Sequence, residues 1–172
     1  RSTLRIHLCT VIDCTPEETW AAVEDIATHI EWMADADSIT FTSEQRQGVG
    51  TEFECLTRVG PLVTTDVMTV TEWIPAQRMG IEHRGVVTGR GHFELEGDGR
   101  GRTVFCWEED LTFPTWMGGR LGERAGRPVL MRIWRANLNR LKAKAEREAA
   151  AARLDARAAV ETEPSVDEAV SA

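Results

Sequence analysis

Several signatures are missing from the 172-residue chain, and each absence removes a class of function. No apolar run approaches the length needed to cross a bilayer, and the sequence opens at Arg1 without a signal-like segment. There is no GxxxxGK[ST] phosphate loop, no GxGxxG following a strand and no GxSxG nucleophile elbow. "GRGHFELEG" is glycine-rich, but it reads as a strand and cradles no phosphate. None of Cys9, Cys14, Cys55 and Cys106 forms a CxxC pair, and all fall in apolar, strand-like runs. That placement predicts buried free thiols in a reducing cytoplasm rather than disulfides or zinc. His92-Phe93-Glu94 has the spacing of two metal ligands but no third nearby in sequence, so no metal is expected. Nor is a cofactor.

What remains is an ordinary globular composition, 42% apolar and 28% charged, with a length that suits one domain. The net charge of −8 is unevenly spread. Residues 1–119 carry 9 basic and 20 acidic side chains, whereas residues 120–149 carry 9 basic and 3 acidic. A basic helix lying across an acidic sheet accounts for this without a partner. The overall acidity argues against nucleic acid, and a peripheral membrane contact through the basic helix stays open.

Period-2 alternation from Leu4 to Ile12 marks a first strand. Thr15, Pro16 and Glu18 then form a capping box with proline at the first helical position. The spacing predicts a helix to about Glu24 and a second short helix through Ile26, Ile30 and Met33. Six strands follow: Ile39–Ser43, Thr51–Arg58, Leu62–Ile74, Arg78–His83, Val87–Glu96 and Thr103–Phe113. The turns "QGVG", "VGP", "IPAQ", "RG" and "EGDGRG" between them are too short for crossover helices, so the sheet is antiparallel. Gly118, Gly119, Gly122, Gly126 and Pro128 predict an irregular helix start or a gate. From Leu130 an apolar stripe runs through Ile133, Trp134, Asn137, Leu138, Leu141 and Ala145. The expectation is one α+β domain over residues 1–149, in which a long helix crosses a seven-stranded curved antiparallel sheet. An Ala- and Glu-rich tail, 150–172, either extends that helix or frays.

Five stretches resemble the polyketide cyclase/dehydrase-like proteins of the START and birch-pollen-allergen superfamily. They are "VIDCTPEETWAAVEDIATHIEW" (11–32), "GVGTEF" (48–53), "VTEWIPAQRM" (70–79), "GRTVFCWEE" (101–109) and "NLNRLKAKAE" (137–146). Trp20, Asp25 and Trp32 match in type and spacing, and the resemblance covers about residues 3–148. It implies a helix-grip fold with a cavity between sheet and helix. Lipid carriers, polyketide cyclases, hormone receptors and quinone binders all occur in this superfamily, so the resemblance leaves the activity open.

Within "FCWEED", strand parity separates three consecutive acids. Glu108 and Asp110 face solvent, while Glu109 shares a face with Phe105, Trp107 and Leu111. A buried carboxylate needs a cation or shifts its pKa, so Glu109 is either ion-paired with an arginine or faces a ligand. His83 follows Met79 and Ile81 on an apolar parity and is the other acid–base candidate. Asn137 interrupts the helical stripe with an amide that needs partners. The expected cavity wall is Trp32, Phe53, Met68, Ile81, His83, Phe93, Trp107, Glu109, Leu130, Trp134 and Asn137.

Three functions fit. One is binding of a small hydrophobic molecule (a lipid, polyketide or quinone) by a cytoplasmic monomer or homodimer. The second is a cyclase or dehydratase using Glu109 or His83. The third is an interaction module with a filled core and a basic docking helix.

Overall fold

A computed structural model describes residues 2–162. The chain runs β1 (Ser2–Ile12), α1 (Pro16–Val23), a 3-10 helix (Ile26–Glu31), β2 (Ala36–Phe41), β3 (Glu52–Val59) and β4 (Leu62–Ile74). It continues through β5 (Arg78–Arg84), β6 (Thr88–Gly97), β7 (Thr103–Phe113), a second 3-10 turn (Thr115–Met117) and α2 (Gly119–Thr162). All seven strands form one antiparallel sheet in the order β1-β7-β6-β5-β4-β3-β2. This is the α+β helix-grip architecture expected from the sequence. Register shifts between Ala36 and Ser38 and between Val70 and Glu72 interrupt two ladders, where bulges bend a sheet.

The capping box forms as read: Thr15 Oγ1 accepts from Glu18 N, and Glu18 Oε2 accepts from Thr15 N. It starts α1 at an angle that sets Trp20 edge-on to Trp73, with ring centroids 5.1 Å apart. Buried hydroxyls then tie α1 to β7, since Thr103 Oγ1 donates to Cys14 O at 2.8 Å and accepts from Thr19.

At 44 residues, α2 is about 66 Å long and much longer than the sheet needs. Its middle is seated by Trp134, Leu138, Leu141 and Ala145, which are buried against β1 and α1. Lys144 is buried as well; its Nζ donates to Ala22 O, a carbonyl in the last turn of α1, and pairs with Glu148 at 3.0 Å. Arg153 reaches Glu18 with two hydrogen bonds, so the helix docks beyond residue 149. Residues 163–172 of the expected tail lie outside the described residues.

Two sequence expectations hold only in part. The glycine-rich segment is irregular at its start, where Gly118 and Gly119 take positive φ, but α2 then runs unbroken through Gly122, Gly126 and Pro128. Cooperative extension from the well-packed part of the helix outweighs the local propensity of these residues. The free-thiol expectation holds for Cys14 and Cys55, but Cys9 and Cys106 form a disulfide. They are direct partners on the outward face of the β1–β7 ladder, 97 residues apart in sequence, a proximity that spacing rules do not detect.

Leu141 is fully buried and Leu121 80% exposed. Leu141→Ala is expected to cost about 2–5 kcal/mol in chemical denaturation, and Leu121→Ala less than about 0.5 kcal/mol. His29 is fully buried and donates from Nε2 to Val23 O at 2.7 Å. Burial, with Lys144 adding to it, pulls its pKa down to about 4. Between about pH 6.5 and 4 the unfolded chain accepts a proton that folded His29 refuses, so stability falls as pH drops, by about 3 kcal/mol across that window. Denaturation at pH 7 and pH 4 should show that His29→Gln abolishes this component.

Candidate functional site

β7 is regular, and its burial alternates from Thr103 to Thr112, so Glu109 points inward with Phe105, Trp107 and Leu111. Its neighbours across the ladders are Ile6 on β1 and Gly91 on β6. Gly91 decides where the carboxylate lies, because a Cβ there would stand 2.2 Å from the Glu109 carboxyl group. The missing side chain lets Glu109 fold back across β6 towards β5. There His83 Nε2 stands 3.1 Å from Glu109 Oε2, and Trp107 Nε1 donates to Oε1 at 3.0 Å. The partner of Glu109 is therefore a histidine, not an arginine.

The His83–Glu109 contact is close, but the two facing atoms are poorly aligned. Neither completes a well-directed hydrogen bond to any described group. Burial by itself would lower the His83 pKa, yet contact with Glu109 and the nearby Asp66 outweigh it and hold the imidazole above its ordinary range. Asp66 is buried on β4, accepting from Thr64 Oγ1 and, at 3.3 Å, from Val87 N.

These groups open into a cavity of about 320 Å³ between the sheet and the first half of α2. Nine of the eleven expected wall residues line it: Phe53, Met68, Ile81, His83, Phe93, Trp107, Glu109, Leu130 and Trp134. Trp32 and Asn137 do not. Trp32 is fully buried behind the wall, packed on Phe93 and Trp107. The Asn137 amide is consumed by the protein: its Nδ2 donates to Asp35 Oδ1 at 2.7 Å, and its Oδ1 accepts from Ala34 N and Arg140. Asp35 also accepts from Trp134 Nε1 at 3.2 Å, so this network pins α2 to the segment before β2.

Trp134 lies stacked on Trp107, with ring centroids 4.7 Å apart and planes 16° apart. Beyond this stack the helix presents Gly119, Gly122 and Gly126 to the cavity, so its backbone roofs the space without filling it. Gly122 is also required sterically, because a Cβ there would meet Met117 O at 2.2 Å. A filled core, the premise of an interaction module, is not what the molecule has.

Sequence reasoning missed Asp66, Gly91, Cys55 and His29 at this site. Asp66 shares strand parity with Met68 and Val70, and a glycine inside an apolar strand marks a close approach, so two of these signals were readable. Burial pushes the Cys55 thiol up to about 11, which keeps it protonated and unreactive.

Removing the charge of Glu109 should reverse the balance at His83. In Glu109→Gln the imidazole pKa should fall below its value in the parent protein, as measured by NMR titration of its ring proton. Gly91→Ala should produce the same fall by displacing the carboxylate. Because the Glu109 carboxyl group must move, it should cost about 1–3 kcal/mol of stability.

Several solved structures share this fold. The Zhui aromatase/cyclase from Streptomyces sp. R1128 superposes with a TM-score of 0.71 at 14% identity, covering 84% of this chain and 94% of that one. The di-domain aromatase/cyclase StfQ of steffimycin biosynthesis gives 0.70 at 15%, covering 87% of this chain; the chain spans 52% of StfQ. TTHA0849 from Thermus thermophilus gives 0.61 at 17%, covering 87% of this chain and 99% of that one. No curated protein matches the chain. Residues 4–146 match the family model described as polyketide cyclase / dehydrase and lipid transport, and the chain belongs to that family.

Proposed function

We propose that the cavity binds one small hydrophobic molecule carrying a single polar oxygen function, with the apolar part on the aromatic wall and the oxygen at His83 and Glu109. The observation that carries this reading is the misaligned pair. Two buried polar atoms 3.1 Å apart, each lacking a directed hydrogen bond, sit in a predominantly apolar cavity. Such atoms are costly to bury unsatisfied, and a hydroxyl bridging them would satisfy both by accepting from His83 Nε2 and donating to Glu109 Oε2. A volume of about 320 Å³ falls at the lower end of the range of small-molecule sites. Burial of apolar surface, at roughly 25 cal/mol per Å², would supply most of the affinity, and the polar pair the orientation.

A second reading is favoured by the same pair's chemistry. An imidazole held above its ordinary pKa keeps its proton to higher pH, which favours a general-acid role. In a dehydration, one member of the pair would take the proton next to a carbonyl while His83 protonates the departing hydroxyl, which leaves as water. The two readings share one site and differ only in turnover.

Native mass spectrometry of gently purified protein should reveal a co-purified apolar molecule, and an anilinonaphthalene sulfonate probe should compete with it. Gly126→Leu projects into the cavity and replaces a helical glycine. It should abolish probe binding while leaving the protein as stable as before, or more so by up to about 1 kcal/mol. Glu109→Gln separates the readings: conversion of the co-purified molecule that this variant loses, with probe binding retained, establishes catalysis. A molecule recovered unchanged from both proteins establishes a carrier. A solid interior that excludes the probe would overturn both.

A further inference from the structure

The outward face of the sheet carries a second cluster, remote from the cavity. β1, β7 and β6 are consecutive neighbours, and their registers align two rows of side chains. His7 pairs with Glu108, which pairs with His92; two residues along, Cys9 pairs with Cys106, which pairs with Glu94. The donor atoms of His7, Cys9 and Cys106 all lie within 4.8 Å of one another. His7 and Cys9 are exposed and Cys106 is half-buried, so solvent and small reductants reach the group.

We propose that His7, Cys9 and Cys106 form a zinc site that the Cys9–Cys106 disulfide closes and reduction opens. The geometry is already near what tetrahedral zinc requires. With Zn–S about 2.3 Å and Zn–N about 2.05 Å, a nitrogen and a sulfur ligand on one ion stand about 3.6 Å apart. His7 Nε2 stands 3.4 Å from Cys9 Sγ. Two sulfur ligands of one ion stand about 3.8 Å apart, which rotation about the Cα–Cβ bonds of directly paired cysteines supplies once their bond is broken. Three protein donors leave the fourth position to water on this open face.

The surroundings favour a cation: Glu94, Glu108 and Asp110 share the face, and Arg5 is already held by Glu108 and Asp110 at 3.1 Å each. Opening the site is a balanced exchange. A dithiol reductant gives two electrons and two protons to the disulfide, forming its own disulfide and two cysteine thiols. Zn²⁺ then displaces the two thiol protons on binding. The sequence alone pointed away from metal because its ligand rules look for close spacing, whereas Cys9 and Cys106 are 97 residues apart.

The test is calorimetric titration of the full chain with Zn²⁺, before and after reduction. The reduced protein should bind one Zn²⁺ and the oxidised protein none. Cobalt in place of zinc should show thiolate-to-metal charge-transfer absorption in the reduced protein only. Cys9→Ser and Cys106→Ser should abolish binding, and His7→Gln should weaken it at least about tenfold, the minimum for loss even of an outer-shell partner. Cys14→Ser with Cys55→Ser, which removes the buried thiols, should bind as the parent does. Equal binding by oxidised and reduced protein, or binding that survives in the Cys9→Ser/Cys106→Ser double variant, would overturn the proposal. Because the cluster lies on the outward face, neither result depends on what the cavity binds.

Discussion

The Trp134–Trp107 stack is the contact on which the molecule's other features turn. It sits where α2 passes from close packing to roofing. On the C-terminal side of it, Leu138, Leu141 and Ala145 fill the space against β1 and α1. On the N-terminal side, α2 offers glycines to the sheet, and the space stays open. One helix cannot cover the inner face of seven strands, so some of that face must stay unfilled or be filled by something else. Asp35 fixes the boundary, because it holds the Trp134 indole and the Asn137 amide at the same time. A cavity at this place follows from where the helix is pinned and from the glycines it turns towards the sheet there.

Polar groups inside such a space need an explanation. A buried ion pair is weak evidence for stability, because desolvation consumes most of its attraction. Apolar residues at positions 83 and 109 would carry no such desolvation cost. Instead the chain spends a glycine, a carboxylate and an imidazole there, and it places Asp66 near enough to bias the imidazole further towards its charged form. A perturbed imidazole facing a buried carboxylate in a cleft marks a candidate functional site. His29 shows the contrasting case: it also lines the cavity, but its ring nitrogen is bound to Val23 O and it stays neutral, so it acts as wall.

The seven strands, the two short helices and the long one were legible because each carries a local signal of period, cap or turn. Parity along "RTVFCWEEDLTF" placed Glu109 inward, and β7 has no bulge to overturn it. The same reasoning misjudged Asn137. An amide in an apolar stripe announces only that it needs partners, and besides Arg140 on the same helix those partners are Asp35 and Ala34, supplied by a segment more than 100 residues earlier. Trp32 was placed one layer too near the cavity for a similar reason: pattern reports burial, not depth.

The amino-acid order by itself determined the element sequence, the inward face of β7 and the family resemblance, since these follow from neighbours within a few residues of one another. Tertiary structure alone decided the pairings: His83 with Glu109, Gly91 beneath the carboxylate, and Cys9 with Cys106. These depend on ladder register, which sums the turns and bulges of the whole sheet and leaves no trace at any one position. "FCWEED" carries both results, with Glu109 facing inward beside His83 and Cys106 facing outward beside Cys9. Alternation set the direction of each side chain, and the neighbouring strands set what it meets.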